Sequence, residues 1–263
     1  MPLMATRTRT RHPAPAATTL TDHMPAERVQ RAIARAGYGS RRGCEELIVQ
    51  GRVSVNGTVA TLGDRVEPGT DLLTVDGVSV NLDPNVRYYA LHKPAGVVTT
   101  MRDPQGRPDI RGLLPTDGPR VFPVGRLDRD SEGLLLLTND GELANRLLHP
   151  RYAIEKEYLA EVDGTPSERQ IARLRRGVEL DDGQATPKSA RIVASSGARG
   201  AVRLVMTEGR KREVRRLLAE VGLPVKRLVR LRIGPVRLGR LAPGAIRELT
   251  PEEVRELSRV AAM

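Results

Sequence analysis

The stretch Val124-Gly125-Arg126-Leu127-Asp128-Arg129-Asp130-Ser131-Glu132-Gly133, running directly into Leu134–Leu137, constrains this chain more than any other segment. It sets several carboxylates in a short, glycine-flanked turn and feeds that turn into a continuous apolar run. A run of that kind is buried, so the turn sits on the rim of a core. A reactive carboxylate needs such a mounting, because a rigid scaffold holds a loop side chain in position. The residues by themselves do not choose Asp128 over Asp130.

The core behind that turn is aliphatic. Hydrophobic residues make up 39% of 263, but there are five Tyr, one Phe and no Trp. The length permits one large or two modest domains. With so few aromatics, each Tyr near a candidate site matters for base stacking. The formal charge of +11 is uneven: Arg203 to Arg240 holds twelve Lys/Arg against three Glu. Basic residues gathered in one region suggest a polyanionic partner, since neutralising phosphates releases condensed counterions. The plain alternative is a solvated charged surface.

Other classes are disfavoured. A single cysteine, Cys44, allows no intramolecular disulfide and no cysteine-rich metal site. The four histidines (12, 23, 92, 149) are scattered with no HxxxH pair, so no metal is expected. No apolar run approaches the ~20 residues that span a bilayer. The Arg-rich N-terminus lacks an apolar segment and is not a secretory signal; Pro13 and Pro15 argue against a transit peptide. A cytoplasmic protein is the expectation.

Along the chain, residues 1–25 read as a disordered basic tail. Val29, Ala32, Ile33 and Ala36 then mark one face of a helix, with Gly37 past its end. Ser40 is placed to cap a second helix carrying Cys44, Leu47 and Ile48 inward and ending at Gly51. Arg41 and Arg42 fall in its first turn, an unfavourable place for cations in the helix dipole unless phosphate meets them there. Arg52 to Val59 reads as a hairpin around Asn56-Gly57. Residues 77–86 read as a linker. Tyr88 to Val98 gives a strand and a Lys93-Pro94-Ala95-Gly96 turn, followed by a polar turn cluster over Asp103–Pro108. Further on, Glu142–Leu148, Ser167–Arg176 and Glu213–Gly222 have helical patterns, while Lys156–Val162 and Ala201–Met206 read as strands. Val225 to Leu241 mixes strand pattern with Gly-Pro turns. The sum is an α+β protein without a βαβ repeat.

Two resemblances sharpen this. The helix–turn–helix–hairpin order with "SRRGCEELIVQGRVSVNG" resembles the small RNA-binding domain of the ribosomal-protein-S-four type, over residues 26–76. "GRLDRDSEGLLLLTNDG", together with the "KPxG" turn and Glu208–Leu217, resembles the RsuA/RluB family of ribosomal RNA pseudouridine synthases, over residues 87–263. The second resemblance implies a larger domain with a mixed, mainly antiparallel sheet. It implies that Asp128 is the catalytic carboxylate, that Tyr158 of a "K-x-Y" strand packs on the target base, and that Arg215 pairs with Asp128. Glu213 stands where that family often has Gln. Arg212 and Arg216 are expected to lean toward solvent or phosphate. RNA contacts are expected from Arg28, Ser40, Arg41, Arg42, Arg52, Lys93, Arg126, Arg129, Arg210, Lys211 and Arg212, and from the 203–240 cluster. The partner implied is ribosomal RNA or a pre-ribosomal particle, bound by a monomer without cofactor, with large-subunit RNA favoured. The rivals are a non-catalytic ribosome-assembly factor on the same fold and a hydrolytic N-glycosidase.

Overall fold

A computed structural model describes residues 25–196 and 199–262. Residues 1–24, where the basic tail is expected, lie outside the described residues. The N-terminal part packs helices α1 (Val29–Arg35) and α2 (Arg41–Val49) on a small sheet of β1 (Val53–Val55), β2 (Thr58–Val59), β3 (Leu73–Val75) and β4 (Val78–Val80), in the order β2-β1-β3-β4. The local chemistry is as read. The Ser40 hydroxyl accepts from the Gly43 amide (3.2 Å), and Asn56 and Gly57 both take positive φ in the β1–β2 turn. Cys44 is fully buried among Val29, Ile33 and Val53.

The linker is shorter than expected. Residues 78–80 pair with β3, and Val80 and Leu82 are buried in the first core. The sequence offers only a weak alternation here, and the strand exists because its partner β3 is in place. The connection between the cores is thus confined to about residues 83–86.

The second part contains β5 (Tyr88–Lys93), β6 (Phe122–Val124), β7 (Glu132–Thr138), α3 (Gly141–Leu148), β8 (Lys156–Asp163), α4 (Glu168–Arg176), β9 (Ser189–Ser196), β10 (Arg199–Met206), α5 (Glu213–Glu220), β11 (Val225–Ile233), β12 (Val236–Arg237), β13 (Ile246–Glu248) and α6 (Pro251–Val260). One mixed sheet runs β9-β10-β8-β11-β7-β5-β13, with β12 on β11 and β6 on β7. Every described ladder in it is antiparallel except β11 with β7, where Val229 faces Glu132 and Arg230 faces Gly133. This is the mixed, mainly antiparallel sheet expected. Helices start on side-chain caps: Asp140 for α3, a Ser167/Gln170 capping box for α4 and a Thr250/Glu253 capping box for α6. The core is aliphatic, and Tyr158 is its one buried aromatic among the described residues.

Candidate active site

The parallel β11–β7 junction lies where the carboxylate turn begins its strand. A Cβ on Gly133 would stand 2.4 Å from the Arg230 carbonyl oxygen and 2.6 Å from its nitrogen, and Gly133 has φ +107°. Only glycine lets the two strands meet here. Residues 125–131 arch over this junction, closed by the Ser131 amide donating to the Asp128 carbonyl (3.1 Å).

The arch is pinned on both sides of Asp128. The buried Thr99 hydroxyl donates to the Leu127 carbonyl (2.8 Å) and accepts from the Leu127 amide (3.2 Å). On the other side the Gly96 amide donates to the Arg129 carbonyl (2.7 Å), and Arg129 Nε returns a bond to the Gly96 carbonyl (3.3 Å). The Lys-Pro-x-Gly turn is therefore the buttress of the arch. Asp128 itself is half-buried. Nothing in the sequence points to Thr99, whose role comes from a contact 28 positions away.

Lys93 holds the buttress together and does not reach RNA, which corrects its assignment. It is 0% exposed, and its Nζ donates to the carbonyls of Pro94 (2.8 Å) and Val97 (2.7 Å). Burial pushes it down to about 8, against the attraction of Asp130 and Asp128. A residue with no exposed surface cannot touch phosphate.

Arg215 is also corrected in part. Its Nε stands 3.4 Å from an oxygen of Asp130, and its guanidinium donates to the Asp130 carbonyl (2.9 Å) and the Val225 carbonyl (3.1 Å). Its ion-pair contact is with Asp130 and not with Asp128. Asp128 acts on it at longer range: burial works against the Arg215 cation, while Asp130 first and Asp128 last support it. Arg212, expected to lean toward solvent or phosphate, is exposed and makes a two-pronged pair with Asp130 (2.8 and 2.9 Å). That pair, above all, holds the Asp130 carboxyl below the usual carboxylate range.

Tyr158 sits on β8 opposite Arg230 of β11, 8% exposed, in the same hydrophobic cluster as Leu127. It packs beside the arch and is almost wholly buried. Glu213 is buried at the start of α5 and accepts from the Arg210 amide and Nε (3.2 Å each); burial raises its carboxyl above the ordinary range.

The basic cluster reads differently in three dimensions. Arg203 pairs with Glu157, Arg210 with Asp182, Glu208 and Glu213, Arg216 with Asp181 and Asp182, Lys226 with Asp163, Arg227 with Glu132 and Glu161, and Arg232 with Glu155 and Glu157. Arg230 is buried, with its Nε donating to the Leu134 carbonyl (2.7 Å). Carboxylates distant in sequence neutralise most of the surplus, which a sum along the chain does not see. Arg210 is thus a structural tie, and Arg52 is likewise engaged by Asp76 (2.6 and 2.8 Å). Arg41, Arg42, Arg126, Arg129 and Lys211 are exposed or half-exposed, with no carboxylate partner among the described residues. Arg28 is exposed too and donates to the Gly63 carbonyl.

Residues 87–220 match the family model for RNA pseudouridylate synthase, and residues 27–72 match the S4 domain. The chain belongs to the RNA pseudouridylate synthase family. It is therefore an isomerase, of the family that the GRLD segment resembles. An RNA pseudouridine synthase of Aquifex aeolicus is 46% identical over 238 residues, covering 90% of this chain and 95% of that one. The ribosomal large subunit pseudouridine synthase B of Bacillus subtilis is 42% identical, covering 89% and 97%. A crystal structure of a pseudouridylate synthase superposes with a TM-score of 0.59 at 29% identity, covering 88% of this chain and 99% of that one. No helix among the described residues is long and apolar enough to cross a membrane.

Proposed function

We propose that this pseudouridine synthase converts one uridine of ribosomal RNA, in the large subunit, to pseudouridine, with Asp128 as the carboxylate beside the reacting nucleotide. The observation that carries the reading is the double pinning of the arch, by Thr99 before Asp128 and Gly96 after it. Of the two aspartates, Asp128 is the one the resemblance implies; it makes no ion pair among the described residues, whereas Asp130 pairs with Arg212 and Arg215. The large-subunit assignment is supported by relatives named for it in Bacillus subtilis and Salmonella.

The reaction breaks the bond between the sugar and base nitrogen 1 and forms one to base carbon 5. The carbon-5 proton leaves and nitrogen 1 gains one, so no group is imported. Asp128 can serve by attacking the sugar, by attacking base carbon 6 or by assisting glycal formation. Lys93, Arg212 and Arg215 all feel its charge. Tyr158 is the aromatic that the resemblance places against the target base, and stacking of a base on an aromatic face contributes roughly 1–3 kcal/mol. Arg126 and Arg129 flank the carboxylate and hold the RNA backbone, while Arg41 and Arg42 of α2 position the rest of the RNA.

The test is tritium release from carbon-5-tritiated uridine in ribosomal RNA transcripts, with free uracil assayed alongside. Release without free uracil, abolished in Asp128→Asn while RNA binding stays within a few-fold, supports the reading. Free uracil indicates an N-glycosidase. Turnover retained in Asp128→Asn removes Asp128 from the chemistry, and no turnover on any transcript favours the assembly-factor reading.

A further inference from the structure

The Asp130 carboxylate sits between two guanidinium groups and satisfies only one of them. Both of its oxygens are taken by the Arg212 fork, at 2.8 and 2.9 Å. Arg215 is 10% exposed, and its buried Nε, 3.4 Å from Asp130, has no hydrogen-bond partner. A buried donor left unmatched is uncommon and asks for an acceptor. The backbone is also bent toward this arrangement. Arg212 has φ +50°, a left-handed conformation that a non-glycine residue adopts at some cost, and it directly precedes α5. The Asp130–Arg212 pair itself is half in solvent, with Arg212 at 42% and Asp130 at 47% exposure. At that exposure solvent and salt screen the pair, which limits what it contributes despite its two-pronged geometry.

We propose that Arg212 and Arg215 form a binding site for one phosphate of the RNA backbone, and that Asp130 fills this site as an internal stand-in until RNA displaces it. A carboxylate is planar and its two oxygens match one fork. A phosphodiester's two non-bridging oxygens stand farther apart than a carboxylate's, and their lone pairs are not confined to the O–P–O plane, so one of them can accept from both guanidinium groups, including the Arg215 Nε. It brings the same single negative charge as the side chain it replaces, so the charge of the site is conserved through the exchange. Asp130 lies two residues from Asp128, which ties the exchange to the arch: a nucleotide seated on the arginines is adjacent to the reacting one. The stand-in also keeps the Arg212 guanidinium occupied, so a polyanion gains Arg212 only by releasing Asp130. Substrates whose backbone does not reach this point are thereby disfavoured.

The inference rests on RNA being the substrate, and its test separates the two. On a ribosomal RNA transcript that releases tritium with the wild-type protein, affinity is measured against salt for wild type, Asp130→Asn, Arg212→Ala, Arg212→Lys and the Asp130→Asn/Arg212→Ala pair. Each phosphate contact contributes a slope of roughly 0.7 to 0.9 in log affinity against log salt. Arg212→Ala is expected to lower the slope by about one such contact, both alone and when combined with Asp130→Asn, and Arg212→Lys to keep it. Asp130→Asn is expected to keep the wild-type slope and to bind roughly two- to five-fold tighter, the gain from removing an exposed competing pair. A wild-type slope in Arg212→Ala, or weaker binding by Asp130→Asn, overturns the proposal even with turnover intact. If no transcript turns over, the isomerase reading fails, and the same slopes on total ribosomal RNA still decide whether Arg212 holds a phosphate.

Discussion

Thr99 pins the arch directly and Lys93 holds the turn that buttresses it, and both are buried. Thr99 offers one hydroxyl to both backbone groups of Leu127. Thr99→Val keeps the shape and removes both bonds, leaving buried backbone groups unmatched at a cost of about 1–3 kcal/mol. Displacing a reacting group by an ångström or so lowers turnover by up to roughly a hundred-fold. We therefore expect kcat to drop about ten- to a hundred-fold with RNA affinity unchanged, and Thr99→Ser to restore it. Lys93 gives a pH signature. Its folded pKa of about 8 lies below the ordinary lysine value, so the folded state releases this proton before the unfolded chain does. Its burial penalty is in full force below about pH 8 and fades as pH rises toward the unfolded value, so stability rises through that window. Urea denaturation at about pH 7.5 and about pH 9.5 is expected to show this rise in the wild type and a smaller one in Lys93→Met. Lys156, also pushed down to about 8, first by burial, supplies the remainder.

At the scale of elements, the crossing of β7 and β11 decides whether the arch exists. Gly133→Ala places a methyl about where Arg230 backbone atoms stand, at a φ that L-residues rarely adopt. The combined strain and overpacking is expected to destabilise by roughly 2–5 kcal/mol. Gly141→Ala at the start of α3 meets nothing within 4 Å. It is expected to stabilise by about 0.4–1 kcal/mol. Chemical denaturation of the two variants checks both signs, and equal effects would mean that the crossing does not depend on glycine. The sequence shows α3 and α5 clearly, because their apolar faces and stops are local signals. It shows the carboxylate turn for the same reason. It hides β4, β9 and β13, which are strands only because a partner is there. Helix α6 goes unread although its Thr250/Glu253 box and Pro251 form a local start signal. The ion pairs of Arg203, Arg212, Arg216 and Arg227 are illegible because their carboxylates arrive from other strands and loops. Lys93 reads as an RNA contact for a related reason, since burial is a property of the fold around a residue.

At the scale of the whole molecule, the cores argue for two separable units. The buried residues of one all fall within 29–82, and those of the three others at 90 and beyond. They meet mainly along α6, where Pro251 packs on Gly37. Arg255 of α6 donates to the Gly37 carbonyl (2.6 Å) and lies 5.6 Å from the Tyr38 ring, while Asn81 donates to Asp140 (3.1 Å). The arch, its buttress and Arg215 all lie in the second unit, so chemistry should survive without the first. The boundary matters: a deletion of residues 26–75 leaves Val80 and Leu82 without the core that buries them, whereas a deletion of 26–82 removes that core entire. We expect the 26–82 deletion to remain soluble and to release tritium from a minimal stem-loop within about ten-fold of wild type, because phosphate contacts outside the arch position the RNA and do not take part in the chemistry. On full-length ribosomal RNA it should lose much more in kcat/KM, because the exposed Arg41 and Arg42, which we propose position the larger RNA, are gone. The 26–75 deletion is expected to aggregate. Equal loss on stem-loop and full-length RNA by the soluble deletion would mean that the first unit acts on the arch itself, through α6, and not through the RNA.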